Sequence, residues 1–483
     1  MKVCVLQDSY ERSEMLREHA TYDPPRDLSH LMPQWSFTHI FLHKATAYSQ
    51  IKDAKKQNFD VYVNLCEGHL VWDIASIDVI HALESLNLPY TGPTAEIYEP
   101  RKDTLKLAAR YAGVRTPRFS TVSSIDEVPR AIGKLRFPLF VKPNGSGDSW
   151  GIDEASFCAE PQSVLTKVQE LLVQHDSVLI EEYLGGREFS VLVVADAEHP
   201  KMPFVYPPIE FCFSEGERFK TYNIKNTQFL PAQNICVTDQ ALEQALIQAA
   251  RSFFLTYKSV GYCRMDFRND TDGVPNFIDA NFTCSVFYPD KYLGTADYIL
   301  KLDSKGAAGF LQRIVSEGIA RWQAKQEIYA VRNDGLSGFG IEAVRPIARG
   351  EVIFKGEERS QRIVSRRWVE QNWTAEEKAV FSEYAYPLDD EIFILWSNDP
   401  QQWAPQNHSC NPNCAYDGLN VIALCDIDAG AELTLDYADF CSDTSAEFTC
   451  TCGAKNCRGI VKGASGNSVA FRERQRRLTH RSR

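Results

Sequence analysis

The feature that most constrains the fold is a cluster of cysteines near the end of the chain. Seven of the 14 cysteines fall within one short stretch of the C-terminal part. Cys450, Cys452 and Cys457 form a C-x-C-x4-C pattern, and three thiolates at this spacing fit three corners of a Zn²⁺ tetrahedron. The fourth ligand must come from elsewhere, and either Cys410 or Cys414 is suited to supply it. Cysteines scattered through hydrophobic cores would not cluster in this way, so we predict one small zinc centre.

The remaining composition is that of an ordinary globular protein. Of the 483 residues, 44% are hydrophobic and 24% are charged, which excludes a wholly disordered or fibrous chain. At about 150 residues per domain, this length corresponds to roughly three domains. The formal charge of −12 argues against a molecule whose whole surface coats nucleic acid.

The compartment is inferred from what the sequence lacks. No apolar run approaches the roughly 18 residues that would span a bilayer, and the apolar start at residues 1–6 is too short for a signal peptide. We therefore expect a cytoplasmic protein without a membrane partner, with the nucleus as the alternative location. Cysteines in such compartments are more often metal ligands or buried thiols than disulfides.

The pattern of predicted strands and helices changes along the chain. In the first 300 residues, short apolar strands such as 2–6 and 61–65 alternate with helical stretches such as 73–86 and 239–257. This alternation is typical of α/β structure. After about residue 320 the segments become short, β-rich and punctuated by glycine, so we place a domain boundary between 315 and 327.

A glycine-rich loop follows a predicted strand at residues 138–142. The strand ends at Lys142, and the loop 144–151 carries three glycines and Ser149. Glycines let backbone N–H groups converge on phosphate oxygens, and the lysine adds a point charge. A second strand, 178–182, leads into a hinge whose backbone is suited to hydrogen-bond adenine, with Glu188 placed to accept from ribose hydroxyls.

Hard oxygen ligands occur further along the chain. Asp266, Asp279 and Asn281 offer carboxylate and amide oxygens of the kind that bind Mg²⁺ between phosphates. Arg264 is two residues before the first of them, and a guanidinium there would neutralise charge that develops on a phosphoryl group.

In this order the segments resemble the ATP-grasp superfamily, specifically its D-alanine–D-alanine ligase branch, over roughly residues 1–315. Further matching segments are Glu67-Gly68, residues 88–92, and Lys106 followed by Gly113 and Pro117. The resemblance implies Mg²⁺ at Asp266, Asp279 and Asn281, and a transition-state role for Arg264. It implies ATP-binding roles for Lys106, Lys142, Ser149, Glu181, Tyr183, Leu184, Glu188 and Lys220.

Enzymes of this branch convert a carboxylate to an acyl phosphate with ATP, and an amine then attacks it to form an amide. Two departures leave the amine open. Asp279 stands where the branch usually has glutamate, and residues 282–287 replace a Pro-Gly turn and the serine that holds the acceptor D-alanine. A non-catalytic ATP-grasp region remains the alternative.

The C-terminal part resembles the SET-domain lysine methyltransferases that carry a post-SET zinc site, over about residues 327–462. The matching segments are 337–341, 347–351, 407–413 and 432–437, together with the cysteine run. The resemblance makes Cys410 the fourth zinc ligand and Tyr437 the catalytic tyrosine. It implies that Gly338, Gly340, Asn407 and His408 contact S-adenosylmethionine.

Methyl transfer to nitrogen is an in-line displacement at a sulfonium, so positioning supplies much of the rate. The amine must arrive neutral, and an apolar channel that lowers its pKa from about 10.4 favours this. We leave open whether four aromatic residues wall such a channel or pack in the core: Tyr384, Tyr386, Phe393 and Trp396. Leu435 offers no hydroxyl where many relatives have Phe or Tyr, and the number of methyl groups added stays open.

Together these features predict a multidomain protein, with an α/β and α+β ATP-grasp part followed by a mostly β SET domain with a post-SET zinc motif. The predicted segments are a pre-ATP-grasp domain, the ATP-grasp domain, the SET domain, the zinc motif and a flexible basic tail, at 1–98, 99–320, 327–440, 441–462 and 463–483. Residues 466–483 hold six arginines against one glutamate, so nucleic acid is expected only through this tail.

The predicted function is a bifunctional enzyme that combines an ATP-dependent carboxylate–amine ligase with an S-adenosylmethionine-dependent lysine or amine N-methyltransferase. Its expected partners are an amino acid, a peptide or a protein lysine, and we allow for a homodimer. The alternative is a protein-lysine methyltransferase whose ATP-grasp region serves only for recognition. The expected cofactors are ATP, Mg²⁺, S-adenosylmethionine and Zn²⁺.

Overall fold

The computed structural model describes residues 1–21, 23–145, 147, 149–220, 233–325, 328–333, 339–356, 361–396, 406–441 and 447–463. Gly338 and the basic tail from residue 464 onward lie outside the described residues. The chain divides into two compact units, Met1–Lys325 and Gln326–Arg483. The finer domain boundaries within these units stay predictions.

The first unit begins with a three-stranded parallel sheet of order β2-β1-β3. The strands are β1 (Lys2–Asp8), β2 (Ser36–Leu42) and β3 (Val61–Asn64), and the helices α1 (Ala47–Lys55) and α2 (Ile77–Ser85) belong to the same region. Val3 to Leu6 are fully buried, as expected for a parallel sheet that is covered on both faces. Helix α2 begins four residues later than predicted because the backbone of Ser76, the residue before it, is not helical, with φ −148° and ψ −128°.

A four-stranded antiparallel sheet of order β4-β7-β5-β6 follows. Its strands are β4 (Phe119–Val122), β5 (Leu139–Pro143), β6 (Phe157–Cys158) and β7 (Val178–Glu182). The helices of this part are α3 (Lys102–Tyr111), α4 (Val128–Ile132) and α5 (Pro161–Leu171). Val128, Val164 and Val168 of α4 and α5 are fully buried against the sheet, which leaves the ends of β5 and β7 to carry polar residues.

The third sheet has the order β11-β10-β8-β12-β13, and β9 also pairs with β8. Its strands are β8 (Glu188–Val194), β9 (Phe204–Val205), β10 (Ile209–Phe211), β11 (Asn234–Cys236), β12 (Tyr262–Asn269) and β13 (Pro275–Asn281). Helices α6 (Gln240–Thr256), α7 (Thr295–Leu302) and α8 (Gly306–Lys325) complete the unit. The Asp239 carboxylate caps α6 by accepting from the N–H groups of Ala241 and Leu242 at 2.9 and 3.1 Å.

The second unit is built mainly from short strands. Small sheets pair β14 (Tyr329–Asn333) with β15 (Phe339–Ala343), β20 (Asn407–His408) with β23 (Thr434–Leu435), and β24 (Phe448–Thr449) with β25 (Ile460–Val461). Two sheets have three strands, in the orders β16-β22-β21 and β17-β19-β18. Their strands are β16 (Val352–Phe354), β17 (Gln361–Ser365), β18 (Tyr386–Pro387), β19 (Ile392–Trp396), β21 (Cys414–Asp417) and β22 (Asn420–Ala423).

Two helices, α9 (Arg366–Asn372) and α10 (Ala375–Tyr384), accompany these sheets. The predicted fold class, an α/β and α+β first part and a mostly β second part, is confirmed. None of the described helices has both the length and the apolar composition that crossing a bilayer requires.

Candidate active sites and metal centre

A cavity of about 190 Å³ in the first unit is walled by residues of the second and third sheets. Most of the residues predicted to serve the ligase line it: Lys142, Ser149, Glu181, Tyr183, Leu184, Glu188, Lys220, Arg264, Asp266, Asp279 and Asn281. Lys106 does not line the cavity itself, but it forms an ion pair with Glu181, which does. Segments that are far apart in sequence therefore meet at one place.

At one end of the cavity a buried carboxylate lies between two ammonium groups. Glu181 Oε2 is 2.5 Å from Lys106 Nζ, and Glu181 Oε1 is 2.7 Å from Lys142 Nζ. Glu181 and Phe140 are directly paired between β7 and β5, and Lys142 is two residues further along β5 on the same face as Phe140. Helix α3 brings Lys106 to the other carboxylate oxygen, so three elements converge on Glu181.

The electrostatics of this group favour the binding of an anion. Burial acts to raise the pKa of Glu181, but Lys106 and Lys142 outweigh it and lower the pKa, so the carboxylate is ionised. Burial lowers the pKa of Lys106 to about 8, even though Glu181 acts in the opposite direction. Two buried ammonium groups share this carboxylate, and Asp279 also attracts Lys106. The lysine pair would attract an anion such as phosphate.

Another part of the cavity wall, which adjoins Glu181 through Phe140, is apolar and aromatic. Phe140 packs edge-on against Phe219 at 4.9 Å between ring centroids, and Tyr183 packs edge-on against Phe157 at the same distance. Flat apolar walls of this kind suit a nucleotide base. Next to them, Lys220 Nζ lies 3.0 Å from Glu188 Oε1, so these two predicted ATP contacts pair with each other in this structure.

The predicted magnesium ligands share one face of the third sheet. Asp266 is paired directly with Asp279 across β12 and β13, and Arg264 is paired with Asn281. Because residues two apart on a strand point to the same face, all four side chains lie together on the cavity side. Two carboxylates and an amide oxygen within one small area form a donor set that fits Mg²⁺.

Cations and a hydroxyl keep Asp266 ionised. Arg264 makes a two-pronged ion pair with this carboxylate, at 3.0 and 3.2 Å. The Ser190 hydroxyl donates to Asp266 Oδ1 at 2.6 Å. Burial acts to raise the pKa of Asp266, but Arg264 and Lys220 more than offset it and hold the pKa at about 2.

Sequence reasoning missed two residues of this site. Lys102 lines the cavity with its Nζ 3.8 Å from Asp279 Oδ2, and its spacing of four from Lys106 places both lysines on one face of α3. The spacing of four between Lys102 and Lys106 could have predicted that Lys102 belongs to this site. Ser190 faces Asp266 only because β8 pairs with β12, and nothing in the sequence joins residues 76 positions apart.

In the second unit the predicted zinc ligands converge. The sulfur atoms of Cys410, Cys450, Cys452 and Cys457 all lie within 4.8 Å of one another, and Cys410 Sγ is 3.8 Å from Cys450 Sγ. Sulfurs bound to one Zn²⁺ at about 2.3 Å stand roughly 3.8 Å apart. Backbone N–H groups of Cys410 and Arg458 donate to two of the sulfurs at 3.4 Å, as suits thiolates. The cluster therefore fits zinc.

Cys414, the alternative fourth ligand, is elsewhere. It is fully buried in a core with Ile341, Ile353 and Val421. It is not among the four sulfurs that lie within 4.8 Å of one another, and the geometry therefore favours Cys410.

His408 connects the zinc cluster to the predicted catalytic tyrosine. The backbone N–H of Tyr437 donates to His408 Nδ1 at 3.1 Å, so Nε2 carries the ring proton and faces Cys410 Sγ at 3.3 Å. The Tyr437 hydroxyl donates to the backbone oxygen of Gln406 at 2.6 Å. Burial lowers the pKa of His408, which keeps the ring neutral in this role.

Asn407 and Gly340, two predicted S-adenosylmethionine contacts, also lie together. Asn407 Nδ2 donates to Glu432 Oε1 at 2.7 Å. A Cβ atom on residue 340 would fall 2.8 Å from Asn407 Nδ2 and 3.0 Å from Glu432 Oε1, so a larger residue there would displace one of these side chains. The two residues form a tight cradle that suits a cofactor contact.

The four aromatic residues considered for a channel separate into different places. Phe393 packs against Phe381 at 4.9 Å in a core with Val364 and Val369, away from Tyr437. Tyr386 contacts Phe440 at 5.7 Å, and Phe440 contacts Tyr437 at 5.5 Å. The side chain of Tyr384 lies outside the described residues, and Trp396 is half-buried at the end of β19.

The rings that do surround Tyr437 were missed by sequence reasoning. They include Phe440 and Phe448, the latter 5.8 Å from Tyr437 between ring centroids, with Tyr416 packed behind Phe440 at 5.0 Å. Phe448 and Tyr416 lie on other strands, so their approach depends on tertiary packing, whereas Phe440 follows Tyr437 by only three residues in the same turn.

Comparison with known proteins supports the two-part architecture. Residues 107–286 match the family model described as the D-ala D-ala ligase C-terminus, and residues 338–438 match the SET domain. The D-alanine–D-alanine ligase of Bordetella avium is 28% identical over 209 residues, which is 41% of this chain and 62% of that protein. The D-alanine–D-alanine ligase of Neisseria meningitidis serogroup B is 27% identical over 235 residues, covering 48% of this chain and 72% of that protein.

A solved structure shows the same fold. The D-alanine–D-alanine ligase from Coxiella burnetii superimposes with a TM-score of 0.50 at 15% identity, over 68% of this chain and 97% of that one. The predicted combination of an ATP-grasp fold of the D-alanine–D-alanine ligase type with a SET domain is thus confirmed.

Proposed function

We propose that this chain, which joins an ATP-grasp fold of the ligase type to a SET domain, is a bifunctional enzyme. Its first unit links a carboxylate to an amine with ATP, and its second unit transfers a methyl group from S-adenosylmethionine to a lysine or another amine. The main support is that two groups meet at one cavity. One is the pair of lysines that share the Glu181 carboxylate, and the other is the oxygen-rich face of β12 and β13.

The ligase step is supported by the cationic side chains at the cavity. Lys106 and Lys142 bring two cations to one buried carboxylate, and Arg264 adds a guanidinium beside Asp266. These groups are held in place before the substrate arrives, so they stabilise charge on a transferring phosphoryl group without reorganising. Asp266, Asp279 and Asn281 would hold Mg²⁺, which when bound would offset the charge of the phosphates.

Ser190→Ala is expected to raise the KM for Mg²⁺ by about 10- to 100-fold, with a smaller effect on kcat. The reason is that the Ser190 hydroxyl fixes the orientation of Asp266 through a 2.6 Å hydrogen bond. Initial rates of ADP formation over a Mg²⁺ series measure both parameters. Ser316→Ala, on the exposed side of α8, serves as the matched control. An unchanged KM for Mg²⁺ in Ser190→Ala would show that Asp266 is no metal ligand.

The methyl-transfer step is supported by how Tyr437 is held. Its main chain is bound to His408 and its hydroxyl to the Gln406 carbonyl, which places the hydroxyl at one defined position. Asn407 and Gly340 provide the cradle, and Phe440 and Phe448 supply an apolar surround that favours a neutral amine. Bound S-adenosylmethionine would supply an electrophilic methyl group.

Tyr437→Phe is expected to slow methyl transfer by about 100-fold or more, because positioning within an ångström governs such a displacement. The ring contacts of Tyr437 with His408 and Phe440 do not need the hydroxyl, so S-adenosylmethionine binding measured by calorimetry should persist. Tyr329→Phe, on β14, is the control. Full methyl transfer by Tyr437→Phe would remove Tyr437 from the mechanism.

The experiment that tests the whole function is mass spectrometry of a cell extract incubated with the full-length protein, ATP, Mg²⁺ and methyl-labelled S-adenosylmethionine. A new amide-containing metabolite that depends on ATP supports the ligase, and label in protein or in a small amine identifies the methyl acceptor. Label in protein with no ATP-dependent product would instead favour a methyltransferase whose ATP-grasp unit serves for recognition.

A further inference from the structure

A histidine–glutamate pair lines the ligase cavity and has no role in the ATP contacts described above. His69 Nδ1 is 3.1 Å from Glu99 Oε1, and both side chains are largely buried. The second carboxylate oxygen of Glu99 accepts from the backbone N–H of Leu70 at 2.9 Å. Glu99 is therefore fixed at both oxygens, and His69 is held by a rigid partner.

The pairing determines which nitrogen of His69 carries the proton. Burial acts to raise the pKa of Glu99, but its hydrogen bonds from His69 and Leu70 prevail and lower it, so the group is an ionised acceptor. Nδ1 must then be a donor, and in the neutral ring this leaves the lone pair on Nε2. Nε2 makes no hydrogen bond to any residue within the described part of the chain.

The ring is closely packed by two neighbours. Trp72 packs edge-on against His69 with ring centroids 4.3 Å apart. The glycine-rich loop also comes so close that a Cβ on Gly147 would fall 2.2 Å from His69 Cε1, 3.0 Å from Nε2 and 3.1 Å from Nδ1. The loop predicted to cover the phosphates thus lies next to Cε1, the carbon between the two ring nitrogens.

The pair lines the same cavity as the predicted phosphate and magnesium contacts. Lys102 is close enough to Glu99 to lower its pKa, and Lys102 Nζ is 3.8 Å from Asp279 Oδ2. Asp279 is one of the three predicted oxygen ligands on the β12–β13 face. Glu99, and with it His69, is therefore linked through Lys102 to the face that carries the predicted magnesium ligands.

We propose that His69 Nε2 is the general base that activates the acceptor amine of the ligase, with Glu99 as its positioning residue. This rests on the proposed ligase function. The acceptor ammonium gives one proton to Nε2, and the nitrogen lone pair attacks the acyl carbon of the acyl phosphate. The C–N bond forms, and the C–O bond breaks as phosphate leaves with the electron pair. The second nitrogen proton passes to the departing phosphate, and the imidazolium, stabilised by Glu99, returns its proton to solvent.

The base defines the class of acceptor. An α-amino or alkyl amine, with a pKa of about 8 or above, is mostly protonated at neutral pH and needs such a base. Hydroxylamine is already neutral under the same conditions and does not. The acceptor assigned here is therefore a protonated amine such as the α-amino group of an amino acid or peptide.

The test compares two acceptors with the full-length protein, ATP, Mg²⁺ and a panel of amino acids. Hydroxylamine traps the acyl phosphate as a hydroxamate, whereas the amino acids themselves give dipeptides detected by mass spectrometry. His69→Asn is expected to form hydroxamate within about threefold of the native rate and to lose dipeptide formation by about 10²- to 10⁴-fold. Glu99→Gln should show the same split with a smaller loss, and the exposed His81→Asn should match the native protein.

Equal losses with both acceptors in His69→Asn would show that the histidine only supports the fold or the loop, and would overturn the proposal. Dipeptide formation at the native rate would overturn it as well. A native protein that forms neither hydroxamate nor dipeptide would overturn the ligase function itself, and this is recognised before any variant is compared.

Discussion

ADP formation by the full-length protein is expected to fall at least about 100-fold when Lys142 is replaced by alanine. In the native protein, Lys142 and Lys106 hold opposite oxygens of the buried Glu181, and their excess positive charge faces the cavity. Alanine at this position removes that excess, since Lys106 and Glu181 then form a neutral pair. The cavity loses the charge that would bind a phosphoryl group, and amino-acid-dependent ADP release measures the loss.

The fold should survive this change because the remaining Lys106–Glu181 pair is balanced. Thermal unfolding without ATP is therefore expected at nearly the native temperature, while the stabilisation by added ATP disappears. Lys134→Ala, an exposed lysine of the same region, should behave like the native protein in both measurements. Native-like ADP formation by Lys142→Ala would contradict the assignment of this lysine pair to phosphate.

The second large effect is expected from Cys410→Ser. Structural zinc contributes about 10 kcal/mol or more to the stability of small metal-dependent folds. Cys410 also lies in the small core of Cys450, Val461 and Tyr437, and its sulfur faces His408 Nε2. Losing the fourth thiolate should therefore reduce bound zinc from one per chain to nearly none and abolish methyl transfer.

Cys414→Ala provides the matched control, because this buried thiol lies in a different core. It should keep one zinc per chain, measured by elemental analysis of the purified protein, at the cost of some stability from the lost packing. ADP formation should be unchanged in Cys410→Ser. Zinc retained in Cys410→Ser but lost in Cys414→Ala would reverse the choice of fourth ligand.

Much of the candidate ligase site can be predicted from the sequence because its residues occur in local patterns. Lys142 precedes a glycine-rich loop, and the spacing of two between Arg264 and Asp266, and between Asp279 and Asn281, places each pair on one face of a strand. The cysteine run likewise carries three of the four sulfurs within eight residues. Such patterns need only local geometry to be interpreted.

The rest depends on contacts between distant segments. Ser190 hydrogen-bonds to Asp266 because β8 pairs with β12. His69 comes before helix α2 in the sequence and Glu99 comes after it, yet their side chains pair. Hydrophobic periodicity predicts a helix from Asp73, but the helix begins at Ile77, and the Asp73 carboxylate accepts hydrogen bonds from the Ser13 hydroxyl and the Glu14 N–H. Tertiary hydrogen bonds of this kind override local preference, and periodicity cannot reveal them.

The central claim is that two independent active sites share one polypeptide, and one measurement tests it most directly. ADP and S-adenosylhomocysteine are both quantified from a single reaction of the full-length protein with ATP, Mg²⁺, S-adenosylmethionine and a cell extract from which small nucleotides have been removed. We predict that both products form, that Lys142→Ala loses only substrate-dependent ADP, and that Tyr437→Phe loses only S-adenosylhomocysteine. Absence of substrate-dependent ADP or of S-adenosylhomocysteine from the native protein would contradict the claim.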